Sequence, residues 1–176
     1  TNEQTNRQHL LGDPVTMRDV SPALMFRIAS VGIAGTSMKG FAGELSPDDR
    51  WNVISYINSL RAPVTVAPGE GIYAQRCAGC HGAGGAGDGP LVAALSKIPV
   101  DLNSFAWQAE RSDAQVIEAI RAGVKGTAMP PTRDLDDAEY AQLVAHVRSL
   151  SLRNPAAQAE ASSDSLDGAG VSKKVM

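Results

Sequence analysis

The residues of this chain best suited to chemistry stand together in the stretch Cys77-Ala78-Gly79-Cys80-His81. Two cysteines three positions apart, followed directly by a histidine, form the attachment signature of c-type haem. In that chemistry the two thiols add to the vinyl groups on one edge of the porphyrin, and an imidazole nitrogen binds the iron as proximal ligand. The motif therefore predicts a covalently bound haem.

Three other chemistries use cysteines at this spacing. A thioredoxin-like CxxC needs a βαβ setting, and no strand pattern surrounds this one. A structural zinc site needs four ligands, but the chain has only two cysteines, and His9 and His146 lie far from them. A disulfide between Cys77 and Cys80 stays open, although it would leave His81 without a role.

Composition limits the class of protein. A length of 176 residues suggests one domain or two small ones. Aromatic residues make up only 5% of the chain, as expected if a cofactor supplies much of the apolar core. The net charge of −3 gives no basic footprint, so a nucleic-acid partner is not expected.

The expected location follows from the motif. No apolar run is long enough to cross a bilayer, and no signal peptide is visible. In bacteria, the machinery that attaches haem to CxxCH works outside the cytoplasm. We therefore predict a periplasmic or otherwise extracytoplasmic protein, membrane-associated through missing segments or a partner.

Helix signals recur along the chain and predict an all-α fold. Helices are expected after Ser21, Ser46 and Ser112 and from Asp136, because serine and aspartate favour the N-cap and first turn. A short helix over Pro68–Tyr73 carries the motif, Gly82–Pro90 is a glycine-rich loop, and Pro99–Trp107 is expected to be extended. The predicted apolar stripes are Leu24, Ile28 and Val31; Trp51, Ile54, Ile57 and Leu60; Val116, Ile117 and Ile120; and Leu143, Val144, Val147 and Leu150.

The two halves of the chain repeat with an offset of 91 residues. The aligned pairs are Ser21 with Ser112, Gly32 with Gly123, Gly35 with Gly126, Thr36 with Thr127, and Met38 with Met129. With a one-residue gap, the helices that follow also align. The same offset places the counterpart of Cys77 ahead of residue 1.

The repeat predicts a domain organisation. Residues 1–62 are expected to be the back half of a first domain whose own CxxCH is absent from this sequence, which predicts a truncated or processed start. The alternative is a degenerate half-domain that serves as a structural cap. Residues 63–67 are then a linker, residues 68–152 a complete domain, and residues 153–176, rich in Ala, Ser, Asp and Gly, a disordered tail or linker.

With these motifs, the chain resembles class I cytochrome c, and as a whole a tandem dihaem cytochrome lacking its opening segment. The resemblance implies an all-α fold in which an N-terminal helix crosses a C-terminal helix and loops wrap the haem. By position, Cys77 and Cys80 would form the thioethers and His81 would be the proximal ligand. Met129, in a loop followed by Pro130-Pro131, matches the distal iron ligand; core packing is the alternative role for a methionine.

The resemblance implies further pocket residues. The carbonyl of Pro90 would accept a hydrogen bond from the other ring nitrogen of His81. Trp107 and Arg111 would reach a haem propionate. Met38 would ligate a second iron only if an upstream haem segment exists. The implied cofactor is thus one haem c in this chain, with a second under that condition.

These features favour an electron carrier over an enzyme, because iron ligated on both faces has no open position for a substrate. A haem peroxidase or gas-binding sensor with a labile distal methionine is the alternative. A third possibility is that the first half serves as an interaction module of a larger assembly. The expected partners are a redox donor and acceptor, within a complex such as a membrane oxidoreductase or permease.

Overall fold

The computed structural model describes residues 11, 13, 16–60 and 67–153. Over these ranges the chain forms helices α1 (Pro22–Val31), α2 (Pro47–Leu60), α3 (Ala67–Arg76), α4 (Ala78–His81), α5 (Phe105–Glu110), α6 (Asp113–Ala122) and α7 (Asp137–Arg153), with a 3₁₀ turn at Val92–Ala94. The described residues contain no β-strand, only an isolated bridge between Gly32 and Lys39. The predicted all-α fold is confirmed.

The predicted linker and tail fall almost wholly outside the described residues. Of the linker 63–67 only Ala67 is described, and it opens α3. Of the tail 153–176 only Arg153 is described, and it ends α7. The domain limits drawn from the sequence stay predictions.

Serine caps begin the two helices that head the repeat. The Ser21 hydroxyl accepts a hydrogen bond from the Leu24 amide, at 3.2 Å. Ser112 forms a full capping box with Gln115, in which each side chain bonds the other residue's amide. These bonds satisfy amides that have no partner inside the helix, and both predicted helix starts are confirmed.

The loop predicted to be extended over Pro99–Trp107 contains the start of a helix, so this prediction was wrong at its end. Ser104 caps α5, and its hydroxyl accepts from the Trp107 amide at 3.4 Å. Serine favours the N-cap because its oxygen replaces a missing backbone acceptor. The cap at Ser104 gave a local signal for this helix that the loop prediction did not use.

The apolar stripe predicted for α1 was also wrong in part. Leu24 and Val31 are exposed, and the buried residue of α1 is Met25. Among the described elements, α1 packs against α2 and α5. Periodicity identified a helix, but the buried side of the helix depends on where its neighbours lie.

Two apolar clusters form the core of the described region. The larger consists of Tyr73, Leu102, Val116, Ile120, Tyr140, Leu143, Val144, Val147 and Leu150. It contains the whole buried face predicted for α7. The smaller contains Met17, Met25 and Ile54, with Phe26 and Trp51 packed on it as a stacked pair 4.4 Å apart.

The two halves of the chain are in contact within the described region, and α1 packs on α5. Trp51 meets Phe105 of α5 edge to face, with ring centroids 4.8 Å apart. The Ala114 amide, in the first turn of α6, donates to the Arg18 carbonyl at 3.0 Å. This hydrogen bond satisfies the Ala114 amide, which an isolated helix would leave unpaired.

Among the described helices, α3 and α7 make the most extensive contact, and their backbones approach each other closely at Gly69. A Cβ atom at this position would overlap the carbonyl oxygen of Gln142. Further along α3, the ring of Tyr73 lies 4.8 Å from that of His146, which is buried in the same interface. The lack of a side chain at Gly69 thus allows the two backbones to meet.

Substitutions at the two glycines of α3 should have opposite effects. Gly69→Ala should destabilise the protein by about 1–3 kcal/mol, because the added methyl group overlaps backbone that cannot move aside. Gly71→Ala should stabilise it by about 0.5–1 kcal/mol, because its Cβ would enter open space and alanine favours helix. Urea unfolding followed by circular dichroism measures both, and equal effects would contradict the crossing.

Candidate haem-binding site

The CxxCH motif folds into a single helical turn. Helix α4 begins directly after Cys77, and the His81 amide donates to the Cys77 carbonyl at 2.9 Å. Gly82 ends the turn with a φ of 78°, a conformation that glycine adopts without strain. The turn holds the two cysteines and the histidine of the motif close together.

A buried tyrosine ties this turn to α3. The Tyr73 hydroxyl donates to the Gly82 carbonyl at 2.8 Å. Burial is the main cause that raises the pKa of Tyr73, so the hydroxyl keeps its proton and remains a donor. Because Tyr73 also packs on α7, the motif takes its position from the α3–α7 crossing.

The motif turn opens onto an apolar cleft of about 600 Å³. This volume lies within the ~300–1,000 Å³ typical of small-molecule and cofactor sites. The cleft is lined by Tyr73, Cys77, His81, Val100, Leu102, Trp107, Glu110, Arg111, Gln115, Val116, Ala119, Ile120, Val124, Met129, Leu143 and Val147. It therefore gathers five of the residues predicted from sequence: Cys77, His81, Trp107, Arg111 and Met129. Cys80 and Pro90 lie outside this set.

The thiol of Cys77 does not have the character of a redox-active cysteine. Both cysteines of the motif are free thiols in the structure. Burial raises the pKa of Cys77 to about 11, whereas catalytic CxxC motifs lower the pKa of a thiol. Within the described residues, no group of three or more His, Cys, Asp or Glu side chains could hold a metal, so the zinc alternative has no ligand set there.

His81 is held as a neutral imidazole. Burial lowers its pKa, and the backbone of Val100 partly offsets that effect. A neutral imidazole has a lone pair with which to bind a metal. Its Nδ1 atom is buried without a hydrogen-bond partner, so the bond to the Pro90 carbonyl is not formed here and stays a prediction.

Met129 is presented by a loop that bonds to itself. The Met129 amide donates to the Thr127 hydroxyl at 3.2 Å, and that hydroxyl donates to the Val124 carbonyl at 2.7 Å. Gly123 starts the loop at a φ of 72°, and a Cβ there would clash with the Met129 carbonyl. These contacts fix the backbone of Met129, whose side chain lines the cleft.

The first half contains the same loop. The Met38 amide donates to the Thr36 hydroxyl at 3.2 Å, which donates to the Ile33 carbonyl at 2.8 Å, and Gly32 has a φ of 76°. The sequence repeat is therefore also a structural repeat. The two methionines differ in surroundings, because Met38 is exposed and Met129 packs against the larger core cluster.

Two residues predicted to contact a propionate stand beside each other. The Arg111 guanidinium lies 5.1 Å from the Trp107 ring centroid, and its side chain is partly exposed. An arginine at the solvent side of an apolar cleft suits an anionic group whose other end is buried. Their role towards a propionate stays a prediction.

The structure also shows positioning residues that the sequence analysis missed. The buried amide of Gln108 donates to the carbonyls of Leu102 and Val147, at 2.7 and 2.9 Å. Arg148 donates to Gln108 and pairs with Asp113 at 2.9 Å. These bonds hold the loop around Leu102 against α7 and so shape one wall of the cleft. A buried glutamine bonded over 39 positions leaves no short-range pattern to find it by.

The residues present fit a haem. A large apolar cleft brings together the motif residues Cys77 and His81 and the methionine Met129. Residues 64–147 match the family model described as "Cytochrome C oxidase, cbb3-type, subunit III". Fold, motif and family match together support a c-type cytochrome.

The chain is also similar to a subunit of a cytochrome c oxidase. The chain is 29% identical over 126 residues to the Cbb3-type cytochrome c oxidase subunit CcoP of Azospirillum sp. (strain B510). The match covers 68% of this chain and 42% of the relative, so the chain spans about two fifths of that protein's length.

A solved structure shows a weaker likeness. It is a chain of the reducing HAO-like protein complex of Kuenenia stuttgartiensis, with 24% identity and a TM-score of 0.43, over 74% of this chain and 72% of that one. This likeness is too slight to define a fold or a function.

None of the described helices is both long enough and apolar enough to span a bilayer.

Removing the Tyr73 hydroxyl should loosen the motif turn. Tyr73→Phe leaves the buried Gly82 carbonyl without its donor and should cost about 1–3 kcal/mol of unfolding free energy. Tyr56→Phe is the matched control, because Tyr56 is exposed on α2, and it should change stability by less than about 0.5 kcal/mol. Urea unfolding measures both, and a loss in the Tyr56 variant as large as in Tyr73→Phe would count against the anchoring role.

Proposed function

We propose that this chain is an extracytoplasmic electron-transfer cytochrome with one covalent haem c in its second half. The observation that carries the proposal is the apolar cleft that collects the motif residues Cys77 and His81 together with Met129. The match of residues 64–147 to a family of cytochrome c oxidase subunits supports it.

Each predicted residue has a defined role in this proposal. Cys77 and Cys80 form the thioethers, His81 is the proximal ligand, and Met129 supplies the distal thioether. When bound, the haem would take up and release one electron at a potential that histidine and methionine ligation raises. Arg111 and Trp107 hold a propionate at the cleft edge.

A hydrogen bond from His81 to a backbone carbonyl is part of the same proposal. His81 would donate from its buried Nδ1 to a backbone carbonyl, with that of Pro90 as the predicted acceptor. Such a bond fixes the orientation of the imidazole and tunes the iron. The lack of a partner for this atom in the structure leaves the acceptor position open to Pro90.

The protein acts as a carrier and not as an enzyme. With ligands on both faces of the iron, no coordination position is left for a substrate. The partner would dock where the motif approaches the surface. There the exposed Leu91 bonds through its amide to the Gly79 carbonyl at 2.9 Å, and the exposed Val100 borders the cleft.

A larger assembly is part of the proposal. The named relative is a subunit of a cytochrome c oxidase, which suggests that this chain transfers electrons within a membrane-associated oxidoreductase. The repeated loop around Met38 supports a tandem dihaem organisation. In it, Met38 would ligate a second haem whose CxxCH segment lies ahead of this sequence.

Replacing each loop methionine in turn tests the ligand assignment. In the oxidised holoprotein of this chain, Met129→Leu should abolish the methionine-to-iron charge-transfer band. In the reduced holoprotein, the same replacement should allow added carbon monoxide to bind the iron. Met38→Leu is the matched control with the same loop geometry. It should leave the absorption spectrum unchanged, because the two cysteines of this chain form a single CxxCH motif, which lies in the second half. Absorption spectroscopy with and without carbon monoxide provides the readout.

A wild-type protein with five-coordinate, high-spin iron that binds carbon monoxide readily would overturn the carrier assignment. That result would favour a peroxidase or gas sensor instead.

Replacing both cysteines, Cys77→Ser and Cys80→Ser, should abolish the covalent attachment of the haem. Intact mass spectrometry measures this, and a protein mass that still includes the haem would contradict the attachment.

A further inference from the structure

The short helix α5 positions the two residues proposed to contact a propionate. Trp107 lies on α5 and lines the cleft, and Arg111 follows the last residue of the helix. With six residues, α5 is far shorter than the ~12–15 residues that an isolated helix needs to be stable in water. The positions of Trp107 and Arg111 therefore depend on what packs against α5.

One support of α5 comes from its own half of the chain. The Arg148 guanidinium on α7 donates to the carbonyls of Gln108 and Arg111, at 2.8 and 2.6 Å. The same side chain pairs with Asp113 in the first turn of α6. Arg148 therefore holds the C-terminal end of α5 against α7.

A second support of α5 comes from the first half. Helix α1 packs on α5, and the ring of Trp51 on α2 meets that of Phe105, the first residue of α5, edge to face at 4.8 Å. Trp51 is itself stacked on Phe26 of α1, with ring centroids 4.4 Å apart. We call Phe26, Trp51 and Phe105 the aromatic stack. It connects α1 and α2 to the N-terminal end of α5.

A buried arginine fixes the aromatic stack within the first half. The Arg50 guanidinium lies 4.8 Å from the Phe26 ring centroid. It also donates to the Ser30 hydroxyl and the Ser46 carbonyl. A cation over an aromatic ring binds more strongly when it is desolvated, and Arg50 is buried. Phe26 therefore gives Trp51 a fixed surface on which to stack.

We propose that the first half acts on the haem site of the second half through the aromatic stack, with Trp51 as a positioning residue. By packing on Phe105, Trp51 keeps α5 in the orientation that places the Arg111 guanidinium at the solvent side of the cleft. The effect on a haem rests on the proposed function, whereas the packing of Trp51 on α5 does not.

The expected electrostatic effect has a definite sign. A guanidinium beside a propionate offsets the negative charge of that group, so the nearby iron is less stabilised in its more positive, oxidised state. When α5 loosens, Arg111 spends less time at this position. The reduction potential of the iron should therefore fall.

Replacing Trp51 tests both parts of the proposal in the holoprotein of this chain. Trp51→Ala should lower the midpoint potential and speed amide hydrogen exchange over 105–110 by about tenfold, because α5 loses an aromatic contact at its first residue. Trp51→Phe should restore both values towards wild type, because a smaller ring can still stack on Phe26. Tyr56→Ala is the matched control on the same helix, and it should change neither value because Tyr56 is exposed.

Two double variants identify the route of the effect. Phe105→Ala should reproduce both changes, and adding Trp51→Ala to it should change little more, because the two replacements remove the same contact. In an Arg111→Gln background, Trp51→Ala should still speed exchange over 105–110 but should no longer lower the potential, because the guanidinium is already gone.

Three results would overturn the proposal. Unchanged exchange over 105–110 in Trp51→Ala, with circular dichroism showing a folded protein, would refute the packing role. Faster exchange with an unchanged potential would refute the effect on the haem site. Additive effects of Trp51→Ala and Phe105→Ala would show that they act by separate routes.

Two failures of the protein itself still leave a decisive readout. If Trp51→Ala does not fold, Phe105→Ala decides by the same two measurements. A chain that attaches no haem would refute the proposed function, whereas amide exchange over 105–110 would still test the packing of Trp51 on α5.

Discussion

The close approach of α3 and α7 at Gly69 is the constraint on which the rest of the described structure depends. It determines how closely α3 packs on α7 and therefore where Tyr73 lies. The Tyr73 hydroxyl donates to the Gly82 carbonyl at the end of the CxxCH turn. Leu143 and Val147 of α7 also line the cleft. One backbone contact thus fixes both the attachment motif and the wall that faces it.

Features encoded over a few residues could be predicted from the sequence, whereas those set by distant contacts could not. The serine caps at Ser21 and Ser112 and the buried face of α7 were correct, because capping and helical periodicity are local. The buried side of α1 was wrong, because it depends on α2 and α5. The same limit applies to the cleft: the motif predicted Cys77 and His81, but nothing local predicted Gln108.

The repeat shows how one sequence pattern can give the same backbone in different surroundings. Both loops close by the same threonine and glycine contacts, although Met129 packs on a core and Met38 is exposed. The loop therefore determines the backbone position of the methionine, whereas the neighbouring segment determines whether the methionine is covered. The two halves are joined by Trp51 on Phe105 and by Arg18 on Ala114.

The self-contained closure of these loops has an evolutionary consequence. A threonine hydroxyl and a left-handed glycine hold each methionine without help from the surface in front of it. Mutations in that surface can accumulate without unfolding the loop. Under the proposed ligand roles, a duplicated chain of this kind could gain or lose a redox centre by changes in the segment opposite the methionine alone, while the loop that carries the sulfur is kept.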